Sequence, residues 1–192
     1  MKTVPTDFEL ETDRLRLRMW READLDAFAA ICADPAVMRF FPNCLTREKT
    51  AKLISMGRDC FERHGVFYSP LEVKSTGEFI GFAGLDVHSA GSLSFAPCVD
   101  IGWRLKQSAW GMGYASEAAR AWLRFGFETK GYEEIVSFTI PGNSPSRRVM
   151  ERIGMTRDGA GDFRHPAIPK DHPCSVHVLY RLSRQEWKHQ SG

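Results

Sequence analysis

The sequence predicts an α/β domain in which strands and helices alternate along the chain. The clearest observation is a strand-like run over 98–105 that leads through a glycine-rich turn into an amphipathic helix. A second strand over 134–140 and a helix with a cap residue at each end follow it. With 192 residues, the chain can bury a sizeable core and is expected to form one domain over 1–192.

The N-terminal half predicts a strand, two helices and two further strands. The first strand covers about 8–20, the helices cover 22–33 and 46–63, and the later strands cover about 66–74 and 78–87. Within the first strand, Arg14, Arg16 and Arg18 alternate with apolar residues, which is the two-residue period of a strand. We expect a solvated strand face here rather than a basic binding stripe.

An anion-binding cradle is predicted at the turn W-G-M-G-Y-A over 110–115. The first N–H groups of a helix have no intrahelical partner, and the helix dipole adds partial positive charge there. Glycines let the backbone approach a phosphate closely. The turn lacks the lysine of a Walker loop, and Ser116 stands where a dinucleotide fingerprint has its third glycine. A phosphate-bearing small molecule is therefore the predicted ligand, and an ordinary strand–helix turn is the alternative.

The residues after the cradle are typical of a helix, a strand and a capped helix. Apolar residues recur at helical spacing between 114 and 129, and charged residues fill the other face. After the strand at 134–140, Asn143 is a suitable N-cap and Gly154 a suitable C-cap. The segment 158–173 is rich in glycine, proline and charge, which predicts a long loop with a strand start inside it.

Three of these segments together resemble one enzyme family. They read D-I-G-W-R-L over 100–105, W-G-M-G-Y-A-S-E-A over 110–118 and N-S-P-S-R-R-V-M-E-R-I-G-M over 143–155. The order and separation resemble the acetyl-CoA core of the GNAT N-acetyltransferases, most closely the RimJ/RimL-like branch. The opening T-D-R-L-R-L-R over 12–18 is similar to the first strand of that branch. The resemblance extends over a core of about 10–187.

The resemblance implies a fold and a co-substrate. The fold is a mixed, mostly antiparallel sheet that is splayed in the middle and has helices on both faces. The co-substrate is acetyl-CoA, with its pyrophosphate on the cradle and its pantetheine near backbone N–H groups of the strand. The implied acetyl-CoA site consists of Trp103, Leu105, Trp110, Gly111, Met112, Gly113, Tyr114, Ala115, Asn143, Ser146 and Arg148. Asn143 can serve as a plain N-cap, as a pantetheine contact or as both.

Two residues are candidates for the chemistry. Asp100, on the strand that leads to the cradle, can act as a base or attract a cationic amine, and a plain surface aspartate is the alternative. Met150 occupies the position where the family often has a tyrosine acid, so Ser146 is the candidate that assists the departing sulfur. A first-turn capping hydroxyl is the alternative role for Ser146.

The resemblance implies acetyl transfer from acetyl-CoA to a primary amine, by direct attack in a ternary complex. The acceptor is a protein N-terminal α-amine or a small-molecule amine. The alternative is a non-catalytic module that binds acyl-CoA as a sensor or interaction partner. A homodimer is expected because dimers are common in this branch.

Composition excludes several other classes of function. The net charge is +2, which gives no bulk attraction to nucleic acid. The five cysteines are scattered without a C-x-x-C pair, and no long apolar run is present, so we expect a soluble cytoplasmic protein that does not bind membranes. His165, Asp171, His172 and His177 have irregular spacing in a predicted loop, so no metal site is expected.

Overall fold

A computed structural model describes residues 8–191. The strands are β1 Glu9–Glu11, β2 Leu15–Arg18, β3 Tyr68–Val73, β4 Glu78–His88, β5 Cys98–Leu105, β6 Glu134–Thr139, β7 Thr156–Arg164 and β8 Val176–Ser183. The helices are α1 Asp24–Ala33, α2 Pro35–Met38, α3 Arg47–His64, α4 Tyr114–Arg124, α5 Ser144–Arg152 and α6 Arg184–Ser191. No helix within the described residues has the length and apolar content needed to cross a bilayer.

The strands form one sheet in the order β1-β2-β3-β4-β5-β6-β8-β7. Every neighbouring pair is antiparallel except β5 and β6, which run parallel. The predicted mixed, mostly antiparallel α/β fold is therefore confirmed. The parallel pair lies in the middle of the sheet, where the predicted splay belongs.

Helix α4 packs on one face of the sheet and α1 on the other. Trp122 of α4 is fully buried, and its indole N–H donates to the hydroxyl of Ser69 on β3 at 3.1 Å. From the opposite face, Phe28 of α1 packs its ring edge-on against Phe82 of β4, with centroids 5.7 Å apart. The two faces thus hold separate apolar layers, and each strand side chain belongs to one or the other.

The predicted first strand is interrupted, and Arg18 does not lie on a solvated face. The chain turns between β1 and β2, and Arg18 is only 5% exposed. Its guanidinium binds both carboxylate oxygens of Asp24 at 2.7 and 2.8 Å and donates to Glu72 at 2.9 Å. Arg16 shares Glu72 from the other side. The expectation of solvation was wrong for Arg18, because carboxylates from α1 and β3 neutralise a charge that the strand pattern alone assigns to water, whereas Arg14 is exposed as expected.

Two further boundaries differ from the sequence prediction. The segment 158–173 was expected to be mainly loop, but its first seven residues belong to β7, which pairs with β8. The helix predicted to end at 129 leaves α-helical geometry at Phe125 and continues as a wider π turn to Thr129. In β7, glycine and charged residues weaken the local strand signal, and pairing with β8 stabilises the strand.

Helices α2 and α6 were not predicted.

Candidate active site

A cleft opens where the two parallel strands separate. Strands β5 and β6 share a single register pair, Asp100 opposite Val136. The hydroxyl of Ser137 then donates to the carbonyl of Ile101 at 2.8 Å and ties the strands once more. Beyond this point the ends of both strands line a cleft of about 830 Å³. The separation exposes backbone groups that a continuous sheet would have paired.

The predicted anion cradle lies at one end of this cleft. Gly111 and Gly113 have positive φ angles of 76° and 81°, which favour glycine. Gly113 is the N-cap of α4 and offers no side chain, and the first intrahelical bond runs from Glu117 N to its carbonyl at 3.0 Å. The N–H groups of residues 114–116 consequently have no intrahelical acceptor, as an anion site requires.

The cradle fits a phosphate group. The hydroxyl of Ser116 is buried without a hydrogen-bond partner among the described residues, and this residue lines the cleft. A Cβ at Gly111 would meet nothing within 4 Å, so the space above the turn is open. Arg14 fixes the turn by donating to the carbonyl of Met112 at 3.0 Å while its other nitrogens bind Glu117. An acceptor-rich anion such as the CoA pyrophosphate would satisfy the free donors.

Helix α5 forms the second wall beside the cradle. The Asn143 side chain accepts from the Ser146 N–H at 3.3 Å and donates to the Thr139 hydroxyl at 2.9 Å. Asn143 is therefore an N-cap, and it also lines the cleft. Ser146 is half-buried and Arg148 is exposed, and both line the same wall. The hydrogen bond from Asn143 to Thr139 of β6 fixes the start of α5 against the separated strand.

The structure gathers most of the predicted site residues into this cleft. Those that line it are Asp100, Trp103, Leu105, Trp110, Gly111, Gly113, Tyr114, Ala115, Asn143, Ser146 and Arg148. The Met112 side chain does not line it and is 51% exposed. Arg147 does not line the cleft, and its guanidinium donates to the Tyr180 hydroxyl at 3.1 Å and to the Pro141 carbonyl.

Asp100 lies at the other end of the cleft within a hydrogen-bonded group. The residue is 4% exposed, and its carboxylate accepts from the Tyr68 hydroxyl at 2.7 Å. The Nε2 atom of His88 lies 2.5 Å from its other oxygen. Burial raises the pKa of Asp100 and outweighs the opposing effect of His88. Burial lowers the pKa of His88, but the hydrogen bond and charge of Asp100 outweigh this and raise it. The pair therefore holds a proton more readily than either group would in water.

Two further histidines line the cleft near this group. The rings of His165 and His177 lie 5.2 Å apart and both flank Phe138 of β6. Burial lowers the pKa of both imidazoles, with a further lowering of His165 by His88 and of His177 by His165. These shifts favour the neutral form of both imidazoles. The sequence indicates these histidines only as candidate metal ligands, because no local signal shows that β7 and β8 bring them to the cleft.

The described residues contain one group with the spacing of a metal site, Asp86, His88 and Asp100, whose ligand atoms lie within 4.8 Å of one another. Its atoms already have protein partners, since Asp86 accepts from the Cys60 thiol and the Val87 N–H. The four-residue set that the sequence analysis had weighed is not gathered into a metal group. The absence of a metal stays a prediction.

Comparison with known proteins places the chain among acetyltransferases. Residues 14–156 match the family model described as acetyltransferase (GNAT) domain. The chain is 30% identical over 193 residues to YnaD, an uncharacterised N-acetyltransferase of Bacillus subtilis (strain 168), covering 93% of this chain and 98% of the relative. The sequence-based identification of the family is thus confirmed.

Solved structures of acetyltransferases have a similar fold. A GNAT-family acetyltransferase from Bacillus anthracis has a TM-score of 0.76 and 26% identity, covering 93% of this chain and 99% of that chain. RimL, a ribosomal α-N-protein acetyltransferase solved in complex with coenzyme A, has a TM-score of 0.72 and 17% identity, covering 94% and 97%. The second likeness is one of fold.

Proposed function

The chain belongs to the acetyltransferase (GNAT) family and is an acetyl-CoA-dependent acetyltransferase; we propose that it acetylates a primary amine by direct attack while both substrates are bound. One observation carries this proposal: the phosphate cradle at α4 and the carboxylate of Asp100 line the same continuous cleft. A thioester held from the cradle and an amine held near Asp100 can therefore meet without an enzyme-bound acetyl group.

The proposed acetyl-CoA contacts follow the cleft from α4 along β5. The N–H groups at the start of α4 hold the pyrophosphate, and Arg148 reaches the 3′-phosphate. The N–H of Lys106 donates to Ile80 on β4 at 2.9 Å. Because N–H directions alternate along a strand, those of Leu105 and Trp103 point away from β4 and into the cleft. They are placed to bind the pantetheine and the acetyl oxygen.

Acetyl-CoA supplies the activated acetyl carbon when bound, and the chain supplies charge and proton transfer. Backbone donors aimed at the acetyl oxygen stabilise the negative charge that develops there, an effect of about 3–4 kcal/mol in comparable sites. We assign the base to Asp100, because its raised pKa suits proton acceptance and its buried charge attracts an ammonium group. Tyr68 and His88 hold that carboxylate in place.

The departing sulfur is proposed to meet Ser146. Its N–H is engaged by Asn143, whereas its hydroxyl makes no hydrogen bond within the described part of the chain. A thiolate is a fair leaving group, so a hydrogen bond from a hydroxyl is sufficient assistance. This role does not depend on the tyrosine that Met150 replaces.

A covalent route through cysteine is disfavoured by the site. Cys98 is the cysteine on β5, and burial raises the pKa of its thiol to about 11. A thiol nucleophile needs the opposite shift, since the thiolate is the reacting form. Cys98 also does not line the cleft. Direct attack is the mechanism that remains consistent with these positions.

The acceptor is proposed to be a protein N-terminal α-amine or a small-molecule amine. An α-amine has a pKa of about 8, whereas a lysine-type amine has one of about 10.4, so the first is neutral far more often near pH 7. A single carboxylate base suits an α-amine, because a smaller fraction of it must be deprotonated at neutral pH. The neutral imidazoles of His165 and His177 flank the path by which the proton would leave.

Two-substrate kinetics test the mechanism. Thiol release is measured while acetyl-CoA and an accepted amine are varied, for the wild type and for Cys98→Ala. Direct attack predicts intersecting reciprocal plots and activity within about threefold in the variant. Parallel plots, or a folded Cys98→Ala protein that binds CoA but has lost activity, would show an acetyl-enzyme instead.

A further inference from the structure

One arginine in the cleft has no counter-charge among residues 8–191. Arg104 of β5 is half-buried and lines the cleft, and no carboxylate lies within 4 Å of it in the described part of the chain. Within the described residues its Nε is buried without a hydrogen-bond partner, and one terminal nitrogen donates only to the thiol of Cys32 at 3.1 Å. A thiol is a weak acceptor, so most of the donor capacity of this cation is unused.

Aromatic rings hold the guanidinium of Arg104 in a fixed orientation. Its Cζ lies 4.3 Å from the ring centroid of Phe41 and 5.5 Å from that of Phe82. Stacking occupies the flat faces of a guanidinium and leaves the N–H groups in its plane for a partner. A cation arranged in this way is prepared to bind a planar anion with little further loss of side-chain freedom.

Arg104 lies on the face of the sheet that packs against α1, and not on the face that packs against α4. Trp103 is the register partner of Ala83, which is itself paired with Ser69, and Ser69 contacts α4. Cross-strand partners share a face, so Trp103 faces α4. Arg104 points the opposite way, consistent with its contact to Cys32 of α1. A phosphate bound at the start of α4 would therefore lie on the other face of the sheet and would not be the partner of Arg104.

Asp100 and Arg104 share this face of β5, with Gly102 between them. Four residues of strand place their Cα atoms about 13 Å apart. Gly102 has no side chain to fill the interval, and the Tyr68 ring borders it. The face thus presents a negative group where the amine reacts and a positive group several bonds away.

From this arrangement we propose that the acceptor is an amine that also carries a carboxylate, separated from it by several bonds, and that Arg104 binds this carboxylate. The inference rests on the proposed function, because Asp100 must mark the position of the amine. An ω-amino acid and a peptide with an acidic side chain near its N-terminus share this chemistry. A simple alkylamine of equal length lacks it.

The test compares chain-matched acceptors in pairs. Aminocarboxylates with four to six carbons are compared with the corresponding alkylamines, and the peptide Ala-Glu-Ala-amide is compared with Ala-Gln-Ala-amide. The wild type is expected to prefer the carboxylate member by about 10- to 100-fold in kcat/KM, as a charge-assisted hydrogen bond provides. The two pairs show which source of carboxylate the site accepts.

Variants show whether Arg104 provides the preference. Arg104→Gln should lose the preference because the KM for the aminocarboxylate rises more than the KM for the alkylamine, with the Kd for CoA unchanged. Arg104→Lys should retain part of the preference. Arg47→Gln is the matched control, since Arg47 is an exposed arginine paired with Asp26. Acetylation without any carboxylate preference would overturn the inference and leave the proposed function intact. A weaker Kd for CoA in Arg104→Gln would assign the arginine to CoA and also overturn it.

Binding provides a second readout that does not need turnover. Calorimetric titration of the CoA complex with 6-aminohexanoate and with hexylamine should show tighter binding of the first, lost in Arg104→Gln. If no amine is acetylated, the proposed function fails, and the titration still decides the role of Arg104. Equal binding of the two probes would contradict it.

Discussion

Replacing Asp100 by asparagine removes one charge from the cleft and keeps the shape of the side chain. The carboxamide oxygen can still accept from Tyr68, and the amide can face His88. If Asp100 takes the proton from the amine, the variant should lose about 10²- to 10⁴-fold in kcat/KM. At 1.36 kcal/mol for each tenfold change, this corresponds to about 2.7–5.4 kcal/mol of barrier.

Stability should move in the opposite direction. Burial raises the pKa of Asp100, which means that its ionised form is less favourable in the folded protein than in water. Asparagine carries no such charge, so the melting temperature should equal or exceed that of the wild type. A carboxylate with a purely structural role would instead lose stability and activity together.

The assay is release of the CoA thiol, with calorimetry to show that acetyl-CoA still binds. Asp26→Asn is the control, because Asp26 is an exposed aspartate that pairs with Arg47 and does not line the cleft. It should retain activity within about threefold. If Asp100→Asn also stayed within threefold, Asp100 would not be the base, and His165 or His177 would be the next candidate.

Two further predictions concern the ionised groups. Arg18→Met should reduce the free energy of unfolding by about 3–5 kcal/mol in urea, because it leaves the buried Asp24 without its guanidinium partner and removes the buried ion pair of Glu72. Arg47→Met on the surface should change the free energy of unfolding by less than about 1 kcal/mol. The pKa of His88 is raised in the folded protein, so the interaction of His88 with Asp100 contributes stability below pH of about 6.5, and this stability is lost as the pH rises through the pKa of the folded state. The difference in free energy of unfolding between the wild type and His88→Gln should therefore shrink with rising pH. A difference that grew with pH would contradict the assignment.

The cradle could be predicted from sequence because its chemistry is local. Gly111 and Gly113 are adjacent to the helix whose N–H groups they expose, and Asn143 caps the helix that begins after it. Such signals act over a few residues and survive without knowledge of the tertiary fold.

The acceptor side could not be predicted in the same way. Tyr68 and His88 meet Asp100 only because β3, β4 and β5 are neighbours in register. His165 reaches the cleft through pairing of β7 with β8, in a segment with weak strand signals. The lack of a counter-charge at Arg104 is equally invisible in the sequence, since it depends on what every neighbouring strand and helix fails to provide.

The Arg18 cluster illustrates the same limit within the core. The alternation of arginine with leucine correctly predicted β2, yet it assigned Arg18 to water. Burial of that guanidinium depends on Glu72, which is 54 residues away. Periodicity shows which side chains share a face, but the topology of the fold determines which residues pack against that face.

The most direct test of the account is calorimetric titration with acetyl-CoA of the wild type, Gly113→Ala and Gly113→Glu. Both substitutions place an L side chain at a φ of 81°, at a shared cost of about 1–2 kcal/mol. Only glutamate adds negative charge where the pyrophosphate is expected. The account predicts binding by the wild type, weaker binding by Gly113→Ala and none by folded Gly113→Glu. Equal affinity in the alanine and glutamate variants, or no binding by the wild type, would contradict it.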